Sequence, residues 1–267
     1  MKNILLVVLY KIKIGESPTI QSIVNYVKSI DPENLKSYQL FIWDNSPDIC
    51  HDIEAFKQEY SFLDIEYVHT PQNMTLSKIY NQIGQISIQM NSYLTLFDQD
   101  TTIEFKYFEQ LKNAQSIGYP LILPKIQCNE ILVSPGKRFM SKGILLKNIE
   151  SGTMNSKNLL AINSGMSISS AVFLLIQYDE RLRFYGTDTY FMRQYEKYYN
   201  TVFILDSVLE HSLAEMEEHT IEWLTKHDQE KLEIFRIVFT ETFFEKLFVS
   251  LYSLVIKYKI FLRNRRG

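Results

Sequence analysis

Tyr93-Leu-Thr-Leu-Phe-Asp98-Gln-Asp100 decides the fold: an apolar, aromatic and β-branched run that stops at two carboxylates. Such a run reads as a buried strand. Side chains two apart on a strand point to the same side, so Asp98 and Asp100 leave its carboxyl end together. In open α/β sheets that end is where ligands bind. Two hard oxygen ligands suit Mg²⁺ or Mn²⁺, which also take oxygens from a substrate phosphate. Taken alone, the same tripeptide is also ordinary chemistry for a solvated strand-to-loop turn.

The chain on either side supplies the context. Ile4 to Tyr10 reads as a fully buried parallel strand. It is too short for a signal-peptide core, and Lys11 and Lys13 follow it in place of a cleavage site. Pro18 to Ile30 is a helix with Ile20, Ile23, Val24 and Val27 on one face, stopped by Asp31-Pro32. Tyr38 to Trp43 is a strand ending in Asp44-Asn45-Ser46-Pro47. A helix from about Ile49 to Tyr60 and a strand from Asp64 to His69 follow. Thr75 or Ser77 opens a helix carrying Ile79, Ile83 and Ile86. This alternation predicts a doubly wound, mainly parallel α/β sheet.

Beyond Asp100, Phe105 to Gln115 reads as a helix and Tyr119 to Pro124 as a short strand. Asn129 to Asn158 lacks periodicity, which predicts a lid, a binding segment or disorder. Ser169 to Ile176 reads as helical, Gly186-Thr-Asp188 opens a helix to Tyr199, and Val202 to Leu205 is a last strand ending near Glu210-His211. From Ile221 to Leu262 the pattern is long and helical, with apolar residues at steps of three and four and a basic end.

At 267 residues, 46% apolar and 13% aromatic, the chain is long enough for one large α/β domain with an appendage. A net charge of −3 gives no case for nucleic-acid binding. The two cysteines, Cys50 and Cys128, are too few for a disulfide framework and match no zinc spacing. No uncharged run reaches bilayer length. A cytoplasmic location is expected.

Seven stretches, in order, resemble the family 2 glycosyltransferases, inverting nucleotide-sugar transferases with the A-type fold. They are Val7 to Tyr10, Trp43 to Ser46, Asn73 to Asn81, Leu94 to Asp100, Asn163-Ser-Gly165, Tyr178 to Leu182 and Gly186-Thr-Asp188. The chain looks most like the bacterial rhamnosyltransferase-type branch of O-antigen and capsule synthesis. The resemblance covers roughly residues 1–212 as a catalytic domain and leaves 213–267 as an amphipathic helical region. It implies an A-type, Rossmann-like sheet with a C-terminal helical extension. It further implies that Tyr10 flanks the base and Asp44 accepts hydrogen bonds from base or ribose. Asn73, Lys78 and Asn81 belong to the donor-facing helix start, and Asp98 lies near the ribose. Asp100 would coordinate Mn²⁺ or Mg²⁺ on the diphosphate, His211 would be a further metal ligand, and Asp188 the catalytic base. Two positions depart from the family pattern: Met74-Thr-Leu-Ser77 replaces a Gly-rich segment, and Thr187 replaces an acidic residue.

The implied reaction carries a sugar from dTDP-rhamnose or a UDP-hexose to a saccharide or lipid-linked saccharide. Asp188 is equally suited to capping its helix, and His211 to simple solvation. A nucleotidyltransferase would want a Gly-rich phosphate loop after the first strand, where Tyr10 to Gly15 holds one glycine. A non-catalytic nucleotide-sugar-binding protein is the other alternative. The tail reads either as a helical pair packed on the domain or in a homodimer, or as a basic amphipathic helix on the cytoplasmic face of a membrane.

Overall fold

A computed structural model describes residues 2–139, 142–210 and 220–264. Among these, β1 (Asn3–Leu9), α1 (Pro18–Ser29), a one-turn α2 (Pro32–Leu35), β2 (Tyr38–Asp44), α3 (Ile53–Glu59), β3 (Asp64–His69), α4 (Leu76–Gln89), β4 (Tyr93–Asp98) and α5 (Phe105–Ile117) form the alternating half. β1 pairs in parallel with β2 and with β4, and β2 with β3. Helices cover both faces because successive strand residues point to opposite sides. Leu5, Val7 and Leu9 enter a core with residues of α1, α3 and α5, whereas Ile4 and Leu6 enter a second core with residues of α4. A strand buried on both faces is apolar along its length, which is the sequence of β1 from Ile4 to Leu9.

The second half closes the sheet differently. β5 (Leu121–Cys128) is followed by β6 (Ile131–Ser134), β7 (Gly136–Phe139), β8 (Lys142–Leu145), β9 (Gly152–Asn155), β10 (Leu159–Leu160), β11 (Ser167–Ser169), a single turn α6 (Ser170–Phe173), α7 (Thr187–Tyr198) and β12 (Thr201–Glu210). The main sheet runs β3-β2-β1-β4-β11-β5-β12-β9, with β6 on β5. β11 lies antiparallel between β4 and β5, and β12 runs parallel to β5. The mainly parallel α/β fold is therefore as the sequence predicts.

The span from Asn129 to Asn158 is a correction. Its described residues form strands and are not disordered: β6 and β9 extend the main sheet, and β7 and β8 form a small sheet with β10. These strands are short, and β8 is exposed throughout. β6 pairs with the adjoining β5 and β7 with β8, while β9 pairs with the distant β12, and strands of four residues are too short to show a period of their own. The expected helix over Ser169 to Ile176 is a single turn, Ser170–Phe173, with Ser169 the last residue of β11 and its N-cap.

α8 (Ile221–Val238) and α9 (Phe243–Asn264) form a hairpin. Thr220 caps α8 through Trp223 N–H at 3.2 Å. Thr242 and Glu245 make a reciprocal capping box at α9: Glu245 N–H donates to Thr242 Oγ1 at 3.1 Å and Thr242 N–H to Glu245 Oε2 at 3.2 Å. The hairpin docks through Phe235, Val238, Phe239 and Val249 onto Leu182 and Tyr190. The nearly buried Arg193 of α7 reinforces it, pairing with Glu245 at 2.9 Å.

Gly165 is the tightest position in this architecture. Its φ is +75°, and a Cβ there would lie 2.6 Å from Leu209 Cδ1 and 2.7 Å from Pro124 Cγ. Gly165→Ala combines a disfavoured backbone with a clash, so it is expected to cost about 2 kcal/mol or more. Urea unfolding should show a lower midpoint with an unchanged slope.

Candidate active site

β1, β2, β3, β4, β5 and β12 run in one direction, so their carboxyl ends share an edge of the sheet. A helix that precedes or follows such a strand runs the opposite way, so α1, α4 and α7 all begin at that edge. Topology thus brings Tyr10, Asp44, Asn73, Asp98 and Asp188 to one rim.

The turn after β4 is fixed by residues far away in sequence. Ser17 Oγ donates to the Gln99 carbonyl at 2.6 Å. Thr19 Oγ1 lies 2.5 Å from the Asp98 carbonyl and 3.0 Å from that of Thr101, and accepts from Thr101 N–H at 2.9 Å. On the other side, Asp98 N–H donates to Ser164 Oγ at 3.2 Å, and Ser164 Oγ meets Thr101 Oγ1 at 2.8 Å. β11 explains Ser164. An antiparallel strand beside β4 must begin where β4 ends, so Asn163-Ser-Gly165 lands beside the aspartates. Gln99 turns the other way, its Oε1 accepting Tyr10 N–H at 2.7 Å. Asp98 is half-buried and Asp100 exposed. Among the described residues no cluster of three His, Cys, Asp or Glu could hold a metal. His211 lies outside the described residues; Glu210 before it bridges to Thr102.

A cavity of about 760 Å³ opens at the ends of β1 and β2, lined by Lys11, Lys13, Asp44, Ser46 and Asp52 among others. Asp44 is buried, with Oδ1 accepting Ser46 N–H at 2.9 Å and Oδ2 accepting the Tyr67 hydroxyl at 2.7 Å. The neighbouring Asn45 holds the loop before α4, accepting from Thr70 Oγ1 at 2.6 Å and Met74 N–H at 3.1 Å. Tyr10 is exposed at the same rim. Asn73 sits in that loop with φ +51°, and Lys78 is exposed on the first turns of α4. A second cavity of about 610 Å³ lies by Tyr38 and Asp64, at the amino ends of β2 and β3 and away from the aspartates.

Asn81 binds protein. Its Oδ1 accepts Tyr178 N–H at 2.8 Å and its Nδ2 donates to the Tyr178 carbonyl at 2.9 Å, which clamps α4 to the segment leading to α7. Tyr178 stacks on Phe191 with centroids 4.7 Å apart, and its hydroxyl donates to Asn163 Oδ1 at 3.2 Å. Asn163 Nδ2 then donates to Thr187 Oγ1 at 3.0 Å. One chain of polar contacts therefore runs from α4 through the Asn-Ser-Gly segment to the start of α7.

Asp188 follows Thr187 in the first turn of α7. Its Oδ1 accepts Thr189 N–H at 2.6 Å. Loss of hydration raises its carboxyl to about 6; the Thr189 hydrogen bonds oppose the rise and the charge of Asp98 adds to it. Tyr80, buried on α4, feels both carboxylates: desolvation chiefly raises its phenol, and Asp98 and Asp188 add to the effect. Asp98, Tyr80 and Asp188 thus share one electrostatic neighbourhood. Ser17, Thr19 and Tyr80 carry no site signal in the sequence, since each fits its helix as a cap or core residue.

No family model and no curated protein matches the chain. Solved structures do. GalNAc-T7 with UDP, GalNAc and Mn²⁺ matches with a TM-score of 0.61 at 13% identity, over 80% of this chain and 44% of that one. S. aureus TarS matches with a TM-score of 0.56 at 16% identity, over 89% and 39%. The mannosyltransferase PcManGT from Pyrobaculum calidifontis, with GDP-Man and Mn²⁺, matches with a TM-score of 0.52 at 10% identity, over 88% and 63%. All three are A-type glycosyltransferases, and at such identities the likeness is one of fold. The chain spans less than half the length of the first two. Its fold is the A-type glycosyltransferase fold that the sequence resemblance implies.

The raised carboxyl of Asp188 has a signed consequence. The folded state holds this proton more tightly than the unfolded chain, so the associated stability is present below about pH 4 and lost as pH rises through about 6. Asp188→Asn removes this poorly hydrated charge and can keep the Thr189 contact. It is expected to raise stability at about pH 7.5 by on the order of 2 kcal/mol and to leave it unchanged near pH 4. Thermal melts at the two pH values check this.

Proposed function

We propose that the chain is a metal-dependent, inverting glycosyltransferase that moves a sugar from a nucleoside diphosphate to a saccharide acceptor. The observation that carries it is that α7 begins, with Asp188 in its first turn, at the same rim of the sheet where the Asp-Gln-Asp turn ends β4. The nucleoside fits the 760 Å³ cavity, with Asp44 in its lining. Tyr10 is exposed at the same rim. Asn73 and Lys78, at the positive end of α4, face the donor in this proposal.

Asp100 and Asp98 offer hard oxygen ligands in the two-carboxylate set that suits a cation arriving with a diphosphate, since Mg²⁺ and Mn²⁺ keep waters and borrow phosphate oxygens. His211 is the further ligand in this reading. When bound, the cation offsets charge on the departing diphosphate as a Lewis acid.

The chain's own residues do the rest. Thr189 holds Asp188 Oδ1, and Oδ2 is left to take the acceptor hydroxyl's proton as that oxygen attacks the anomeric carbon. One displacement inverts the centre without a protein nucleophile. The acceptor fits a cavity of about 400 Å³ between Arg181–Tyr185 and α8, whose polar and aromatic lining includes Arg181, Tyr185 and Glu230. Ile234, in the same lining, sits against Gly186, two residues before Asp188. The rhamnosyl-type branch, with dTDP-rhamnose or a UDP-hexose as donor and O-antigen or capsule intermediates as acceptors, follows from the sequence resemblance.

Release of UDP or dTDP from a panel of donors with Mn²⁺ tests the proposal. Wild type is expected to turn over one donor, Asp100→Ala to lose the metal stimulation, and Asp188→Asn to lose about 10²–10⁴-fold in rate. Donor binding without turnover in wild type would mark a non-catalytic binder. The rate should rise with pH through an apparent pKa near 6 at low metal, because the base must be ionised. Saturating Mn²⁺ near Asp98 should move that midpoint lower.

A further inference from the structure

α9 has two apolar faces, and only one of them is used. Val249 and Ile256 point inward and are buried. Arg263 reaches Asp228 of α8 at 2.6 Å on the same side. The opposite side carries Phe244 (75% exposed), Leu247 (47%), Leu251 (57%), Leu254 (63%), Val255 (51%) and Tyr258 (61%). Their spacing by threes and fours sets them in a single stripe along the helix axis. A water-facing side of a surface helix is normally polar; this one is apolar along most of its length.

We propose that this outward stripe lies in the surface of an anionic lipid bilayer. On a helical projection, Lys246 and Lys257 border the stripe on one side and Lys259 on the other, and all three are exposed. Long lysine stems flanking an apolar stripe snorkel toward headgroups while the stripe sinks among the acyl chains. The acidic residue of α9, Glu245, is turned inward and held by Arg193 at 2.9 Å. No described helix is long and apolar enough to cross a membrane, so α9 lies in the plane of the surface. A second copy is the poorer occupant. Two such stripes packed together would set these lysines against each other with no acid on either face to offset them. Anionic headgroups supply that opposite charge.

The proposal stands on this surface and is independent of the transferase reading. The full chain is mixed with phosphatidylcholine vesicles, with or without phosphatidylglycerol, and bound protein is measured by flotation at low and high salt. Binding at least about tenfold stronger to the anionic vesicles is expected, weakening with salt. Leu251→Glu with Leu254→Glu should reduce binding about tenfold or more, with unchanged far-ultraviolet circular dichroism and melting. Lys257→Glu with Lys259→Glu should remove the preference for anionic lipid. Equal partition of wild type and the leucine variant overturns the proposal. So does a wild-type dimer that ignores vesicles and becomes monomeric in the leucine variant.

Discussion

Lost hydration is the constraint at the rim: it does most to raise the carboxyl of Asp188, and like-charge repulsion from Asp98 adds a smaller part. Repulsion grows as water is excluded, because the effective dielectric falls. Nothing local holds the two carboxylates together, since one ends a central strand and the other begins a helix. Their joint placement depends on Ser17, Thr19 and Ser164 gripping the turn after β4. It depends equally on Asn163 and Gly186 fixing the start of α7: a Cβ at Gly186 would lie 2.5 Å from Ile234 Cγ2. A cation is the natural counter-charge for such a pair, and an acidic centre with a raised carboxyl is a natural proton acceptor. In the proposed reaction the arrangement that costs stability is the one that would supply the chemistry.

Topology distributes these parts. With the parallel strands ending on one rim, the helices beside them begin there, and their positive ends face the same space. β11 completes the arrangement by running backwards through the sheet, which delivers Asn163-Ser-Gly165 to the end of β4. The α8–α9 hairpin then packs against the segment that opens α7, so the appended helices form part of the wall around the rim.

The alternating half was legible because each element carries its own period: β1 is apolar from Ile4 to Leu9, α1 and α4 repeat every three to four residues, and Asp98 with Asp100 ends an unmistakable strand. Residues 129–158 were not legible, since strands of four residues at a sheet edge are specified by partners such as β12 and β5 and not by their own sequence. The bonds that aim the site were hidden for a related reason. Ser17 is a good helix cap wherever it occurs, and only the folded chain shows its hydroxyl spanning to Gln99. Asn81 was placed at the donor-facing helix start by resemblance, whereas its amide closes on Tyr178. Tyr80 looked like one more apolar position on α4.

Paramagnetic broadening gives the most direct measurement of whether one cation and both acidic groups occupy a common space. Mn²⁺ with UDP is added to protein carrying ¹³C-labelled aspartate carboxyls. Broadening of Asp98, Asp100 and Asp188 together, with Asp64 at the far edge of the sheet left sharp, is the expected result. An Asp188 resonance as sharp as that of Asp64 while Asp100 broadens would contradict the shared site.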